Sequence, residues 1–205
     1  MNSKKLQTLS QVIFLALFLI LLSRGLIQIW VTLFVLSMVG ALFLGRFYCG
    51  WICPIQTLMR LPEWLREKSG GRALKVPSLL NRPGTRVAAL GIFFALFAFS
   101  MVTGRRLPVL PALVVAGVAL TLFFPASLWH RHLCPYGTLL SLSGKHSRRG
   151  LTIIQEDCIS CGACRDVCPA EAIITDGASY RIDQANCLLC MRCTRACPSG
   201  CIQYS

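Results

Sequence analysis

Eight cysteines near the C-terminus carry the chemistry that is easiest to read. Cys158, Cys161, Cys164 and Cys168, then Cys187, Cys190, Cys193 and Cys197, each follow C-x2-C-x2-C-x3-C, with Pro169 and Pro198 directly after. Three thiolates two residues apart wrap a tight loop around three irons of one cubane, and the fourth iron needs a ligand from elsewhere. In a two-cluster arrangement the last cysteine of the other motif supplies it. The reading is therefore two [4Fe-4S] clusters, the first on Cys158, Cys161, Cys164 and Cys197, the second on Cys187, Cys190, Cys193 and Cys168. Zinc ribbons use isolated C-x2-C pairs, so this spacing does not suit zinc. Cys201 falls outside both motifs and reads as a structural or spare thiol.

The flanking residues must hold two such loops back to back. Short β-rich stretches at Thr152-Ile153-Ile154, Ala172-Ile173-Ile174, Tyr180-Arg181-Ile182 and Cys201-Ile202-Gln203-Tyr204 predict strands around two short cysteine helices, each ended by its proline. Residues 150–205 resemble the bacterial two-cluster ferredoxin domain, which implies an α+β module.

The remaining residues, 1–149, belong to another class. The chain of 205 residues is 55% hydrophobic, and four apolar runs at Leu6–Leu22, Leu26–Leu44, Val87–Thr103 and Leu107–Leu128 approach or meet the roughly 20 residues of a membrane-crossing helix. They predict an α-helical membrane domain of four transmembrane helices in two hairpins. Leu6–Leu22 follows Lys4 and Lys5 like a signal sequence, but no small-x-small cleavage site follows, so a retained anchor is expected. The net charge is +13, and residues 1–150 hold all but four of the 21 Lys and Arg but just two of the eight acids, Glu63 and Glu67. Arg24, Arg105 and Arg106 alone fall in the hairpin turns, which by the positive-inside rule puts both termini and the cluster domain in the cytoplasm of a bacterial inner membrane. That compartment also argues against disulfides. The basic residues flank apolar runs instead of lining a groove, so membrane lipid is the partner they imply and nucleic acid is not. No ionisable residue lies within a run, which argues against a pump, and His130, His132 and His146 all sit outside the spans, which argues against a transmembrane bis-histidine haem. Residues 55–68 alternate apolar and charged side chains and predict an amphipathic interfacial segment interrupted by Pro62.

A second constellation ends each hairpin. Cys49-Gly50-Trp51-Ile52-Cys53-Pro54 aligns with His130-Arg131-His132-Leu133-Cys134-Pro135, and both continue to Thr-Leu, making residues 6–58 and 87–140 an internal repeat. Helical spacing of four would put Cys49 and Cys53 on one face, and His130 and Cys134 on one face of the other copy. Three readings stay open for these four: a converged third metal or iron–sulfur centre, a redox or copper-handling dithiol, and plain packing. His132 and His146 read as interfacial residues.

Four helices, a CGWICP-type motif after the second, a CP motif after the fourth and a C-terminal two-cluster domain resemble the membrane ferredoxin-type subunits of the NapH kind. Similar membrane cores occur in regulators of nitrous-oxide respiration, methylamine-utilisation proteins and a factor assisting cytochrome oxidase assembly. The resemblance implies a quinol dehydrogenase membrane component, an electron-transfer subunit with no catalytic residues of its own, exchanging electrons between quinone or a membrane partner and other redox subunits. Its rival is a maturation factor that reduces a metal ion such as copper, or protein thiols, for a respiratory enzyme. His130 stands where the family pattern has a cysteine, and no flavin-binding or extra outer domain is expected. The basic connection, with Arg46, Arg66, Lys68, Arg72 and Lys75, is expected to dock on the acidic cluster domain through charge.

Overall fold

The computed structural model describes residues 3–103, 108–177 and 179–205. It divides into two compact units, Met1–Pro54 with Leu139–Ser205, and Ile55–Thr138. The sequence boundary at 149/150 marks a change of composition, whereas this division groups the first hairpin with the cysteine-rich segment.

In the first unit, α1 (Ser3–Ser23) and α2 (Ile27–Leu44) form a hairpin. Gly25 closes α1 in the left-handed region at φ +70°, with Leu26 N–H donating to Leu21 O and Gly25 N–H to Leu22 O. That paired capping satisfies the last carbonyls and turns the chain sharply, which a side chain at Gly25 would resist. Phe18 packs edge-on against Trp30, whose indole N–H donates to the Tyr48 hydroxyl at 2.9 Å. Most other apolar side chains of the pair, among them Leu9, Val12, Ile20, Leu36 and Val39, face outward. Lys4–Ser23 and Ile27–Leu44 are long and apolar enough to cross a membrane. Gly45, at φ +73°, then turns the chain into the short helix α3 (Phe47–Trp51).

The cysteine-rich segment is built on two small antiparallel sheets. Strands β1 (Leu151–Ile153) and β4 (Ile202–Tyr204) pair with Leu151 opposite Tyr204, and β2 (Ile173–Asp176) and β3 (Ser179–Ile182) form a hairpin with Ile173 opposite Ile182. These are the four predicted strands, each within a residue or two of its expected place. This segment completes α2. The carbonyls of Leu42, Phe43 and Leu44, which no longer have helical partners, accept from Arg148 N–H, Arg149 N–H and the Tyr204 hydroxyl. Further down, Gly50 meets the second cysteine loop so closely that a Cβ there would run into the carbonyls of Leu188 and Leu189.

The second unit contains most of α4 (Pro54–Lys68), then α5 (Pro83–Thr103), α6 (Val109–Phe123) and the short α7 (Ala126–Leu128), followed by a π-helical turn at Trp129–Leu133 and the start of α8 (Pro135–Gly144). Helix α4 runs unbroken through Pro62, contrary to expectation. Ile55, Met59, Pro62 and Glu63 are buried along one face while Leu61, Trp64 and Leu65 are exposed on the other, so packing of the buried face outweighs the roughly 3 kcal/mol that proline costs. The apolar run expected to Leu128 stops as α6 at Phe123, because Pro125 holds an extended conformation and disfavours helix in the residue before it. Leu107 and the predicted turn Gly104-Arg105-Arg106 lie outside the described residues. Gly84–Ser100 of α5 and Val109–Phe123 of α6 are apolar throughout.

Arg66 closes the end of α6, donating to Thr121 O at 2.6 Å and Phe124 O at 3.3 Å, while Leu74 N–H donates to Phe123 O. A cation at a helix C-terminus satisfies orphan carbonyls and complements the dipole. So Arg66 is spent within its own unit, and Lys68 lies 5.1 Å from the Trp64 ring centroid.

Two substitutions test this packing. Gly50→Ala should cost about 1–3 kcal/mol by overpacking, seen as a lower midpoint in thermal unfolding of the purified chain, whereas Gly84→Ala, with open space around it, should leave the midpoint within error. Arg66→Met should cost about 1–3 kcal/mol by stranding two buried carbonyls, and an unchanged midpoint would show that the cap contributes nothing.

Candidate functional site

The two cysteine loops share an unusual backbone. Ser160 and Leu189, at equivalent positions, have φ of +52° and +50°, and Gly162 and Met191 have +79° and +55°. Just one of these four is glycine. A non-glycine residue in this region costs on the order of 1 kcal/mol or more and persists where its surroundings demand it. Here the two left-handed residues curl each loop so that successive cysteines face one centre and amide groups turn inward, forming an anion-binding concavity. The backbone N–H of Leu189 is directed at the Cys187 sulfur and that of Arg192 at Cys190. Helix α9 (Ala163–Asp166) follows the first loop and α10 (Arg192–Ala196) the second, each stopping before its Cys-Pro.

The last cysteines cross over. Cys158, Cys161, Cys164 and Cys197 line one pocket, together with Tyr180, Ile153 and Ile202. Cys168 lies within electrostatic reach of Cys187, Cys190 and Cys193. Both foursomes predicted from the spacing are thereby brought together. Among the described residues no three Cys, His, Asp or Glu side chains close to the spacing of one metal ion; a cubane asks for a wider set, because each thiolate binds a different iron. All twelve cysteines are free of disulfides.

The donor set fits an iron–sulfur cluster on a second ground. Burial pushes the Cys187 and Cys193 thiols up to about 12, and raises Cys190 and Cys164 as well. Cys187, Cys190 and Cys193, buried together on one loop, resist ionisation, and cluster irons would take the place of their protons. Cys197 behaves differently: the Ser199 hydroxyl lowers it to about 7, while burial raises its neighbour Cys201 to about 11.

Cys201 is the residue that the spacing left unassigned. It is buried, lines the same pocket and stands with its Sγ 3.4 Å from that of Cys197. It follows Cys197 by four residues, which was the one available signal, but strand β4 brings it to the site.

The two loops differ in exposure. Cys161 and Ile159 of the first face solvent, Ile159 being 66% exposed, whereas Cys187, Leu188, Leu189 and Cys193 of the second are buried. What covers the second loop is the first juxtamembrane motif. Trp51 donates its indole N–H to Leu189 O at 3.1 Å. Gln7 of α1 donates to Gly50 O at 2.9 Å and to Cys190 O at 3.1 Å, Gln11 donates to Gly50 O at 2.7 Å, and Arg195 donates to the Gln7 side-chain oxygen and to Cys190 O. Sequence reasoning missed Gln7 and Gln11; two glutamines four residues apart in an apolar helix were the signal.

The juxtamembrane motifs share a local geometry that the expected α-helical spacing does not describe. Cys53 N–H donates to Tyr48 O and Cys134 N–H to Trp129 O, each spanning five residues, and a helix then starts at the following proline. The widened turn leaves the cysteine outside any helix, and proline is suited to the first helical position, where its missing N–H costs nothing. Cys49 and Cys53 are buried in the first unit, and His130 and Cys134 in the second, where Gly137 N–H donates to the Cys134 sulfur at 3.3 Å. His132 is also buried, whereas His146 is exposed and contacts Leu142 O.

Comparison with known proteins agrees with this geometry. A family described as "4Fe-4S binding domain" matches twice, at residues 26–72 and 106–153, one match for each copy of the repeat, and a "4Fe-4S dicluster domain" matches residues 158–201. A methylamine utilization ferredoxin-type protein, MauN, of Methylobacillus flagellatus is 30% identical over 68% of this chain and 54% of its own length. The putative electron transport protein YccM of Escherichia coli is 29% identical over 67% of this chain and 45% of its own. The ferredoxin-type protein NapH of Haemophilus influenzae is 27% identical over 73% and 59%. The chain spans about half the length of the curated relatives it matches, and no solved structure matches it. The chain belongs to the NapH-type ferredoxin-type family, whose members are iron–sulfur electron-transfer proteins.

Proposed function

We propose that this protein is a membrane-bound electron-transfer subunit that carries single electrons between the quinone pool, or a membrane partner, and a redox partner in the cytoplasm. The observation that carries the reading is the asymmetry of the two cysteine loops: one is sealed backbone to backbone against the end of an apolar hairpin, and the other is open to solvent. A relay needs two such ends. Cys187, Cys190, Cys193 and Cys168 would hold the cluster at the membrane end, and Cys158, Cys161, Cys164 and Cys197 the cluster at the solvent end. When bound, the clusters supply one-electron redox chemistry. The chain's own residues exclude water from the second loop through Leu188, Leu189 and Trp51, hold its carbonyls through Gln7, Gln11 and Arg195, and leave Ile159 and Cys161 within reach of a partner.

The outward-facing apolar side chains of α1 and α2, and the excess of basic residues at the same end of both hairpins, support four crossings in the bacterial inner membrane with both termini in the cytoplasm. In this reading α5 and α6 are the second pair, and the exposed Leu61, Trp64 and Leu65 of α4 lie in the inner interface. For Cys49, Cys53, His130 and Cys134 the iron content of a Cys49→Ser, Cys53→Ser variant decides between a third centre and a dithiol.

Anaerobic iron and acid-labile sulfide quantitation with EPR tests the reading. Two cubanes give about eight irons per chain; fewer than about four would overturn it. A count of about ten to twelve, falling to eight in Cys49→Ser, Cys53→Ser, would establish the third centre, whereas eight in both would remove it and favour a dithiol or copper-reducing role for those cysteines. Acid should also strip the clusters. Each ligating cysteine is held as a thiolate, and once freed, Cys187 and Cys193 take up a proton at any pH below about 12, so cluster loss consumes protons and is favoured as pH falls. Iron retained against a chelator should therefore decline from pH 8 to pH 6, and equal retention would contradict release of those cysteines as protonated thiols.

A further inference from the structure

Arg46 is 1% exposed, one of the most deeply buried large side chains in the molecule. Its guanidinium meets two groups: Nη1 donates to the carbonyl of Ala185 at 2.9 Å, and Nη2 approaches the Cys49 sulfur at 3.7 Å. Nε has no partner, and no carboxylate among the described residues pairs with the side chain. The carboxylate in the same loop is spent elsewhere, since Asp183 accepts from Ala185 N–H at 3.0 Å through one oxygen and from the Asn186 amide at 2.6 Å through the other. Gly144 lies against the arginine stem, where a Cβ would clash with Cγ, so the side chain is held in place along its length.

A guanidinium cannot shed its proton, and a desolvated charge without an anion carries one of the largest penalties a protein interior can hold. A carbonyl dipole does not balance it, and no carboxylate among the described residues does. The structure therefore calls for a nearby negative charge, and the loop that Arg46 grips enters Cys187 two residues later. A cubane ligated by four thiolates is negatively charged and becomes more so on taking an electron. Resting on the two-cluster reading above, we propose that Arg46 is the built-in counter-cation of the second cluster, a positioning residue that fixes the Ala185–Cys187 approach and raises that cluster's reduction potential above what it would have without the charge. Arg192 and Arg195 also act on Cys190, but Arg195 is exposed and screened by solvent, so its charge counts for less than a desolvated one.

The consequence is directional. Lifting the potential at the membrane end makes the second cluster a better acceptor from the apolar hairpin, while the first, beside which the described arginines Arg165 and Arg181 are exposed, is tuned by its own surroundings.

The test is an EPR-monitored redox titration of the full chain, with iron and sulfide measured on every sample. Arg46→Gln keeps an amide that can donate to Ala185 O but removes the charge; Arg46→Lys keeps the charge. Cys161→Ser, which disables the first cluster, assigns the signals. With full iron content, Arg46→Gln should shift the oxidised-to-reduced ratio of the second cluster about tenfold or more toward oxidised at a given potential, a drop of about 59 mV for one electron. The first cluster should move much less, Arg46→Lys should recover most of the shift, and Arg195→Gln should shift the second cluster less than Arg46→Gln does. Unchanged potentials in fully loaded Arg46→Gln, or equal shifts of both clusters, would overturn the proposal. If Arg46→Gln loses iron, Arg46→Lys decides it: full iron and a near-native second potential sustain the role of the charge, and lost iron or a displaced potential leaves arginine with a purely structural role and overturns it. Failure of the two-cluster reading would appear separately, as a low iron count in the unmutated chain.

Discussion

Everything in the first unit depends on one close approach of two backbones. At Gly50 the end of the first hairpin comes within touching distance of the carbonyls of Leu188 and Leu189, closer than any side chain would allow. Backbone groups brought together in a dry place must be satisfied, and the surrounding residues are chosen accordingly. Gln7 and Gln11 reach from α1 to Gly50 O, Trp51 reaches Leu189 O, and Arg195 ties Gln7 to Cys190 O. Two glutamines in a helix this apolar would be a liability anywhere else.

The same logic operates at the end of α2. Its last carbonyls are completed by Arg148, Arg149 and Tyr204, residues from the far end of the chain. A helix that needs water or a partner for its terminal groups finds the partner in the cluster domain, so the hairpin and the cluster domain are each incomplete alone. Docking of this kind uses fixed hydrogen bonds between backbones and so sets a single register. The broad charge attraction suggested by the basic first part and acidic last part of the chain would not. Of the arginines that might have provided such attraction, Arg46 is buried against a carbonyl and a thiol and Arg66 closes α6 within the second unit.

The cysteine loops show how a site is prepared before its cofactor arrives. Left-handed Ser160, Leu189 and Met191 are unfavourable locally, and their cost is carried by the surrounding strands and, for the second loop, by the hairpin. In return the thiols face one another and the amides face the thiols. Burial that keeps Cys187 and Cys193 protonated makes the empty site reluctant to ionise, which ties cluster binding to proton release.

Much of this was legible in the residues alone. Regular cysteine spacing encodes a local wrap, so both foursomes, the crossing of Cys168 and Cys197, the four short strands and the repeat of the two hairpin motifs could all be read from the chain, because each rests on short-range periodicity or on turn chemistry. What spacing cannot encode is which distant groups meet. That α4 continues through Pro62 depends on the burial of Ile55, Met59 and Glu63; that Cys201 reaches Cys197 depends on β4; that Cys53 and Cys134 close five-residue turns depends on backbone conformations compatible with many sequences. That Gln7, Gly50, Arg46 and the second loop converge was decided by tertiary packing, since these residues lie up to most of the chain apart and only desolvation of shared backbone groups brings them together.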